Sequence, residues 1–232
     1  MSSPAISRAA SRTDVEGSAL LTFSVMTSLI WLMLLLSGRM AYFQSCLPLG
    51  LPAAFGTEPL MRILTIGHGT RSAEELVATL RRGGARTLVD VRRFPGSQRN
   101  PQFNKAALAA TLEAAGIAYR HAIELGGRVS GEPGEERFAC IRVAAFRSYA
   151  ARMGTEAWQE ALAGALQDPD PCFMCAERLW WRCHRRLIAE LLCARGNEVV
   201  HLIGPGESQP HRPLAEAEWL NGCLYICDEL VG

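Results

Sequence analysis

Two spacings of apolar residues take turns along residues 61–204, and together they predict the architecture. Ile63-Leu64-Thr65-Ile66 is a short apolar, β-branched run closed by Gly67-His68-Gly69, which reads as a strand and its turn. Ser72-Ala73-Glu74-Glu75 then fits a capping box, with Leu76, Val77 and Leu80 at helical spacing and Gly83-Gly84 as the stop. Thr87 to Val91 is a second strand, so the first unit is β-α-β with parallel pairing. Asn104 is placed to cap a helix through Ala114, and Ile117–His121 follows as a third strand. After a Gly-rich loop at 125–134 come helices over about 141–153 and 156–167, then a strand at 171–175, a helix at 182–195 and a strand from Glu198 to Ile203. Alternating strands and helices with buried strands predict an α/β fold, a single three-layer domain around a mostly parallel sheet of about five strands. The tail, 205–232, is less regular, with Leu224-Tyr225-Ile226 as a candidate edge strand.

The first sixty residues follow another pattern. Glu16 and Arg39 bracket 22 residues without a charge, Gly17 to Gly38. As a helix that stretch reaches roughly 33 Å at about 1.5 Å per residue, enough for a hydrocarbon layer of about 30 Å. Asp14 and Glu16 spoil the positive flank of a signal peptide, and arginines on both sides leave the orientation undetermined. Three readings stand: a membrane anchor over 17–38, a mis-assigned start upstream of Met61, or a cleaved segment. In each, the Pro and Gly of 47–59 make a linker, and 61–232 is the α/β domain.

Composition narrows the class only a little. The formal charge is +1, which argues against holding nucleic acid by bulk electrostatics, although 23 of the 24 basic residues are arginine, suited to bidentate phosphate contacts. Eight cysteines, some in apolar runs, suggest mostly reduced thiols and a cytoplasmic protein, membrane-anchored if 17–38 spans. No P-loop or dinucleotide fingerprint is present, and no cofactor is expected.

Candidate chemistry collects just after the strands, at the edge where open α/β sheets place ligands. There lie His68, Asp90 with Arg92 and Arg93, Glu124, and Cys175 with Glu177. The densest segment runs from Met174 to Arg186 and holds Cys175, Glu177, Trp180, Trp181, Cys183, His184 and Arg185. Cys183 in a helix's first turn, flanked by arginines, is a candidate nucleophile, or else a packed core thiol. Cys172, Cys175, Cys183 and His184 spell a zinc-like spacing. Strand parity separates Cys172 from Cys175, and on a helix Cys183 and His184 diverge by about 100°, so no metal site is expected. Trp180 and Trp181 read as core or as a stacking surface for a base, and Asp90 as a contact or an anchor for the arginines.

Several motifs together resemble a known family. They are Thr65-Ile-Gly-His-Gly-Thr-Arg-Ser, Leu88-Val-Asp-Val-Arg-Arg-Phe-Pro, Asn100-Pro-Gln-Phe-Asn, Leu125-Gly-Gly-Arg, Cys175-Ala-Glu and Trp181-Arg-Cys-His-Arg, followed by Pro210-His211-Arg212 and Gly222-Cys-Leu-Tyr. Over about 61–226 the chain resembles the family catalogued as domain of unknown function 488. The resemblance implies one α/β domain with matching polar residues at His68, Asp90, Arg92, Arg93, Cys175, Glu177, Cys183, His184, Arg185 and His211, and it implies no activity.

Three functions fit these residues. The first is an enzyme acting on a phosphate-bearing substrate, a nucleotide or nucleic acid, with Cys183, Glu177, His184 and His68 as catalytic groups and Arg92, Arg93, Asp90, Cys175, Trp181, Arg185 and His211 as binding groups. The second is a non-catalytic binding module using the same arginines and tryptophans. The third is a thiol-redox protein cycling Cys175 and Cys183.

Overall fold

The computed structural model describes residues 61–232; the readings of 17–38, of 47–59 and of a start at Met61 concern residues outside that range. Among the described residues, no helix is long and apolar enough to cross a membrane. Nine strands, β1 (Arg62–Gly67), β2 (Thr87–Asp90), β3 (Ala118–His121), β4 (Pro171–Cys175), β5 (Glu198–Gly204), β6 (Glu207–Pro210), β7 (Ala217–Leu220), β8 (Cys223–Ile226) and β9 (Glu229–Leu230), are described. They are joined with five α-helices, α1 (Ala73–Gly83), α2 (Lys105–Ala114), α3 (Ala144–Met153), α4 (Glu156–Leu166) and α5 (Arg185–Ala194).

The main sheet has the order β3-β2-β4-β1-β5-β6. Its first five strands are parallel, and β6 joins β5 antiparallel at the edge. Period-two alternation sends the strand side chains to two cores. Leu64, Ile66, Leu88, Cys172 and Met174 pack under α1 and α2, while Ile63, Val89, Phe173 and Val199 face α3, α4 and α5. The chain is therefore an α/β fold with helices on both faces of a mostly parallel sheet. Ser72 Oγ accepts the Glu75 amide at 3.1 Å, and Gly84 ends α1 in the left-handed region at φ +84°.

Three expectations are corrected. Leu224–Ile226 is no edge of the main sheet: β8 is the middle strand of a separate antiparallel sheet, β7-β8-β9. Its hairpins turn at Asn221-Gly222 and Cys227-Asp228, all four residues at positive φ as type I′ turns demand. Next, α5 starts at Arg185 rather than 182, because Trp180–Arg182 forms a separate 3-10 turn and Cys183 is extended at φ −121° and ψ 147°. Finally, Cys140 and Cys227 are disulfide-bonded, Cα atoms 5.8 Å apart across 87 residues, so the expectation of reduced cysteines does not hold for this pair. The β8–β9 turn carries Cys227 to the loop before α3, a proximity no local spacing announces. Cys172, Cys175, Cys183 and Cys193 are free thiols.

Candidate functional site

A cleft of about 690 Å³ opens at the carboxyl ends of β1, β2 and β4. His68, Arg92, Cys175, Glu177, Cys183 and His184 all line it, although 116 positions separate the first from the last. Parallel pairing of β1 with β4 and of β4 with β2 brings these strand ends together. The pairing continues past β1, with the His68 and Gly69 amides donating to the Cys175 and Ala176 carbonyls, both at 3.0 Å. Gly67 permits this approach: a Cβ there would sit 1.9 Å from the Glu177 carbonyl oxygen.

On the β2 side, the fully buried Asp90 holds Arg92 in a bidentate pair, Nε–Oδ1 2.8 Å and Nη2–Oδ2 2.6 Å. Asp90 also accepts the Arg92 amide at 3.1 Å and the Tyr119 hydroxyl at 2.8 Å. Burial, with the Asp90 carboxylate beside it, pushes the Tyr119 phenol above its usual range. Asp90 is thus the anchor of Arg92. The remaining Arg92 nitrogen reaches His68 Nε2 at 3.3 Å. His68 Nδ1 faces the Gly69 carbonyl at 2.9 Å, so Nδ1 carries the proton and Nε2 accepts from the guanidinium. Burial, reinforced by Arg92 and only partly offset by the Gly69 carbonyl, lowers the His68 pKa to about 4.

Cys175, Cys183 and His184 form the floor, their ligand atoms all within 4.8 Å of one another. His184 Nδ1 lies 3.6 Å from Cys183 Sγ and 3.8 Å from Cys175 Sγ. His184 Nε2 donates to the Val91 carbonyl at 3.2 Å, leaving Nδ1 with a lone pair toward the sulfurs. The expected divergence of Cys183 and His184 does not occur, because Cys183 precedes the helix in extended conformation and its sulfur folds back to Cys175. Cys172 is buried in the opposite core and takes no part.

Arg185 lies beneath this floor, 1% exposed. It donates to Cys183 Sγ at 3.4 Å, Thr65 Oγ1 at 3.2 Å and the Glu177 carbonyl at 2.6 Å, and it forms no ion pair with a carboxylate among the described residues. Burial opposes ionisation of Cys183, but the hydrogen bond from the Cys175 thiol and the charge of Arg185 outweigh it and hold this thiol well below its usual range. Cys175, donating to Cys183 and buried itself, is pushed correspondingly up.

The other expected residues lie elsewhere. Arg93 borders a side pocket of about 80 Å³ that adjoins Cys175 and His184. Trp181 is 42% exposed, packed edge-on against Trp180 and outside the cleft lining. Trp180 is buried and stacks on His201 at 4.2 Å. His211 is buried behind it, Nδ1 3.0 Å from His201 Nε2, and is not a cleft residue. Its Nε2 lies 3.1 Å from Glu190 Oε1, off the hydrogen-bond line. His201 in turn meets Thr65 Oγ1 at 2.7 Å, so this buried chain connects to the site through Thr65 and Arg185.

Three arginines that sequence reasoning passed over line the cleft and are exposed: Arg128, Arg178 and Arg182. None forms an ion pair among the described residues. Arg178 and Arg182 flank the tryptophans, and Arg128 follows the diglycine of the Gly-rich loop, a signal that could have marked it. That diglycine has a steric reason: a Cβ on Gly127 would lie 2.5 Å from His184 Nδ1. Gly127→Ala is expected to cost about 1–3 kcal/mol or to push the imidazole off the sulfurs. Thermal denaturation and the imidazole ¹⁵N spectrum check this; an unchanged midpoint and spectrum would show that the ring does not depend on the glycine.

The fold and this site define an α/β domain with a thiol–imidazole floor and a cationic cleft at the strand carboxyl ends. The chain belongs to the family described as domain of unknown function DUF488, whose model matches residues 72–192. No curated protein and no solved structure matches the chain.

Proposed function

We propose that the protein is an enzyme acting on a small phosphate-bearing substrate, of nucleotide class, held in this cleft above Cys175, Cys183 and His184. The observation that carries the reading is the set of three arginines, Arg128, Arg178 and Arg182, that line the cleft around that floor and form no ion pair among the described residues. Guanidinium groups without a carboxylate partner at the wall of a concave site suit phosphate oxygens. Of the three arginines first expected to clamp phosphate, two are engaged inside the protein, Arg92 by Asp90 and Arg185 by Cys183, Thr65 and a carbonyl, while Arg93 borders the side pocket. A volume of about 690 Å³ is of ordinary size for a small-molecule site. Phe94, 64% exposed and on the cleft lining, offers a face for a base.

Calorimetric titration with inorganic phosphate, pyrophosphate and mononucleotides tests the reading. Changing any one of the three arginines to alanine should remove about 1.5–3 kcal/mol of anion binding, roughly ten-fold or more in Kd. Equal binding by all three variants would remove the reading. Cys183→Ser should keep binding and lose turnover. A parent protein that binds nucleotides yet transforms none of a phosphate-ester panel would leave the non-catalytic binding module standing.

A thiol-redox reading is favoured by one observation, the Cys175 and Cys183 sulfurs lying within 4.8 Å. It requires them to close to about 2.05 Å.

A further inference from the structure

We infer that Cys175, Cys183 and His184 form a three-ligand site for a soft divalent cation, Zn²⁺ foremost, with its open coordination position facing the cleft. The inference deepens the enzyme reading by naming its reactive centre, and it rests on geometry first. A tetrahedral zinc with Zn–S bonds of about 2.3 Å and a Zn–N bond of about 2.0 Å holds neighbouring ligand atoms about 3.5–3.8 Å apart. The two sulfur–nitrogen separations are 3.6 and 3.8 Å, and the sulfurs need to move together by at most about 1 Å from the 4.8 Å limit.

The surroundings also fit. A zinc-bound imidazole commonly donates its far N–H to a carbonyl or carboxylate, and His184 Nε2 donates to the Val91 carbonyl at 3.2 Å. That bond leaves Nδ1, the nitrogen nearest both sulfurs, as the ligand atom. Arg185 donates to Cys183 Sγ at 3.4 Å, a contact that favours a ligating thiolate. Two thiolates balance a divalent cation, so the metal would add no net charge to this buried floor. Two sulfurs and a nitrogen select zinc or a similarly soft ion over Mg²⁺ or Ca²⁺, which take oxygen.

Three protein ligands rather than four mark a site able to accept a further ligand. Cys175, Cys183 and His184 all line the cleft, and so do Arg128, Arg178 and Arg182. The fourth position therefore opens toward the arginines. An oxygen of the substrate anion, or a water beside it, is the ligand this arrangement would take.

The test uses the full chain, reduced, stripped with a chelator and titrated with Zn²⁺ against a chromophoric competitor, then with Co²⁺. One equivalent should bind, and Co²⁺ should give a thiolate charge-transfer band with tetrahedral d–d bands. Cys175→Ser, Cys183→Ser and His184→Gln should each weaken binding by about 100-fold or more, beyond the ~10–100-fold typical of outer-shell losses, while Cys193→Ser leaves it unchanged. Should the ligand variants misfold by circular dichroism, alkylation of the parent decides: Zn²⁺ should protect Cys175 and Cys183 but not Cys193. Absence of stoichiometric binding, a cobalt spectrum without sulfur character, or equal protection of all thiols would overturn the inference. So would a Cys175–Cys183 disulfide that binds no metal after reduction, which would establish the redox reading instead. Anion binding to metal-free protein, lost in the arginine variants, is measured separately, so either claim can fail alone.

Discussion

Replacing Asp90 with alanine is expected to destabilise the fold by about 3–5 kcal/mol, a large share of the ~5–15 kcal/mol that separates a native domain from its unfolded state. Asp90 is fully buried and accepts three hydrogen bonds from Arg92 and one from Tyr119. Truncation leaves the Arg92 guanidinium, itself 5% exposed, without its counter-charge and strips the Tyr119 hydroxyl of its acceptor. The cost comes from that stranded charge more than from the lost attraction, since ion pairs in low dielectric barely repay their own desolvation. Two results should follow in urea denaturation. Asp90→Ala should show a much lower midpoint at similar slope, and adding Arg92→Met should recover part of the loss. If the single variant loses under about 1 kcal/mol, the pair is solvated in solution and Arg92 is free to serve the cleft.

Acid should destabilise the protein over a window set by two buried neutral histidines. The His68 pKa is lowered to about 4, by burial first and by Arg92. That of His201 is lowered to about 3, by burial, then His211 and Arg185. An unfolded histidine titrates near 6.5, so between that value and the folded pKa the unfolded chain binds more protons and stability rises with pH. The contribution of His68 is present in full above pH ~6.5 and is lost as pH falls toward 4, with no further loss from that group below. Displacements of this size correspond to on the order of 3 kcal/mol for His68 and 5 kcal/mol for His201. Carboxylates contribute to acid denaturation as well, so the comparison is internal. Urea midpoints from pH 7 to pH 4 should fall less steeply in His68→Asn than in the parent. Parallel slopes would mean that His68 is hydrated and titrates normally.

Strand and helix order was legible from residue 61 to 204 because each element carries its own periodicity and stop. Ser72 with Gly84 around α1 shows how local those signals are. The placing of His68, Arg92, Glu177 and Cys183 in one cleft could be reasoned out in advance, since parallel strands share a carboxyl edge. The roles of the arginines could not. Arg92 and Arg93 adjoin in sequence, yet one is locked to Asp90 and the other borders a side pocket, while Arg128, Arg178 and Arg182 line the cleft with no ion pair among the described residues. His211 stood among the family's polar positions and Trp180 read as core or as a stacking surface; both lie in a buried stack with His201.

What the sequence by itself determined is the α/β alternation, the strand-end location of the chemistry and the separation of Cys172 from Cys175, because these follow from backbone periodicity and hydrophobic burial. Tertiary structure alone decided the Cys140–Cys227 pairing, the second small sheet and the meeting of Cys175, Cys183 and His184. The last turned on one residue: Cys183 is extended before α5 rather than within it, because the 3-10 turn that stacks Trp180 on His201 uses up the residues a longer helix would have needed. Contacts between residues distant in sequence set that turn, and periodicity carries no record of them.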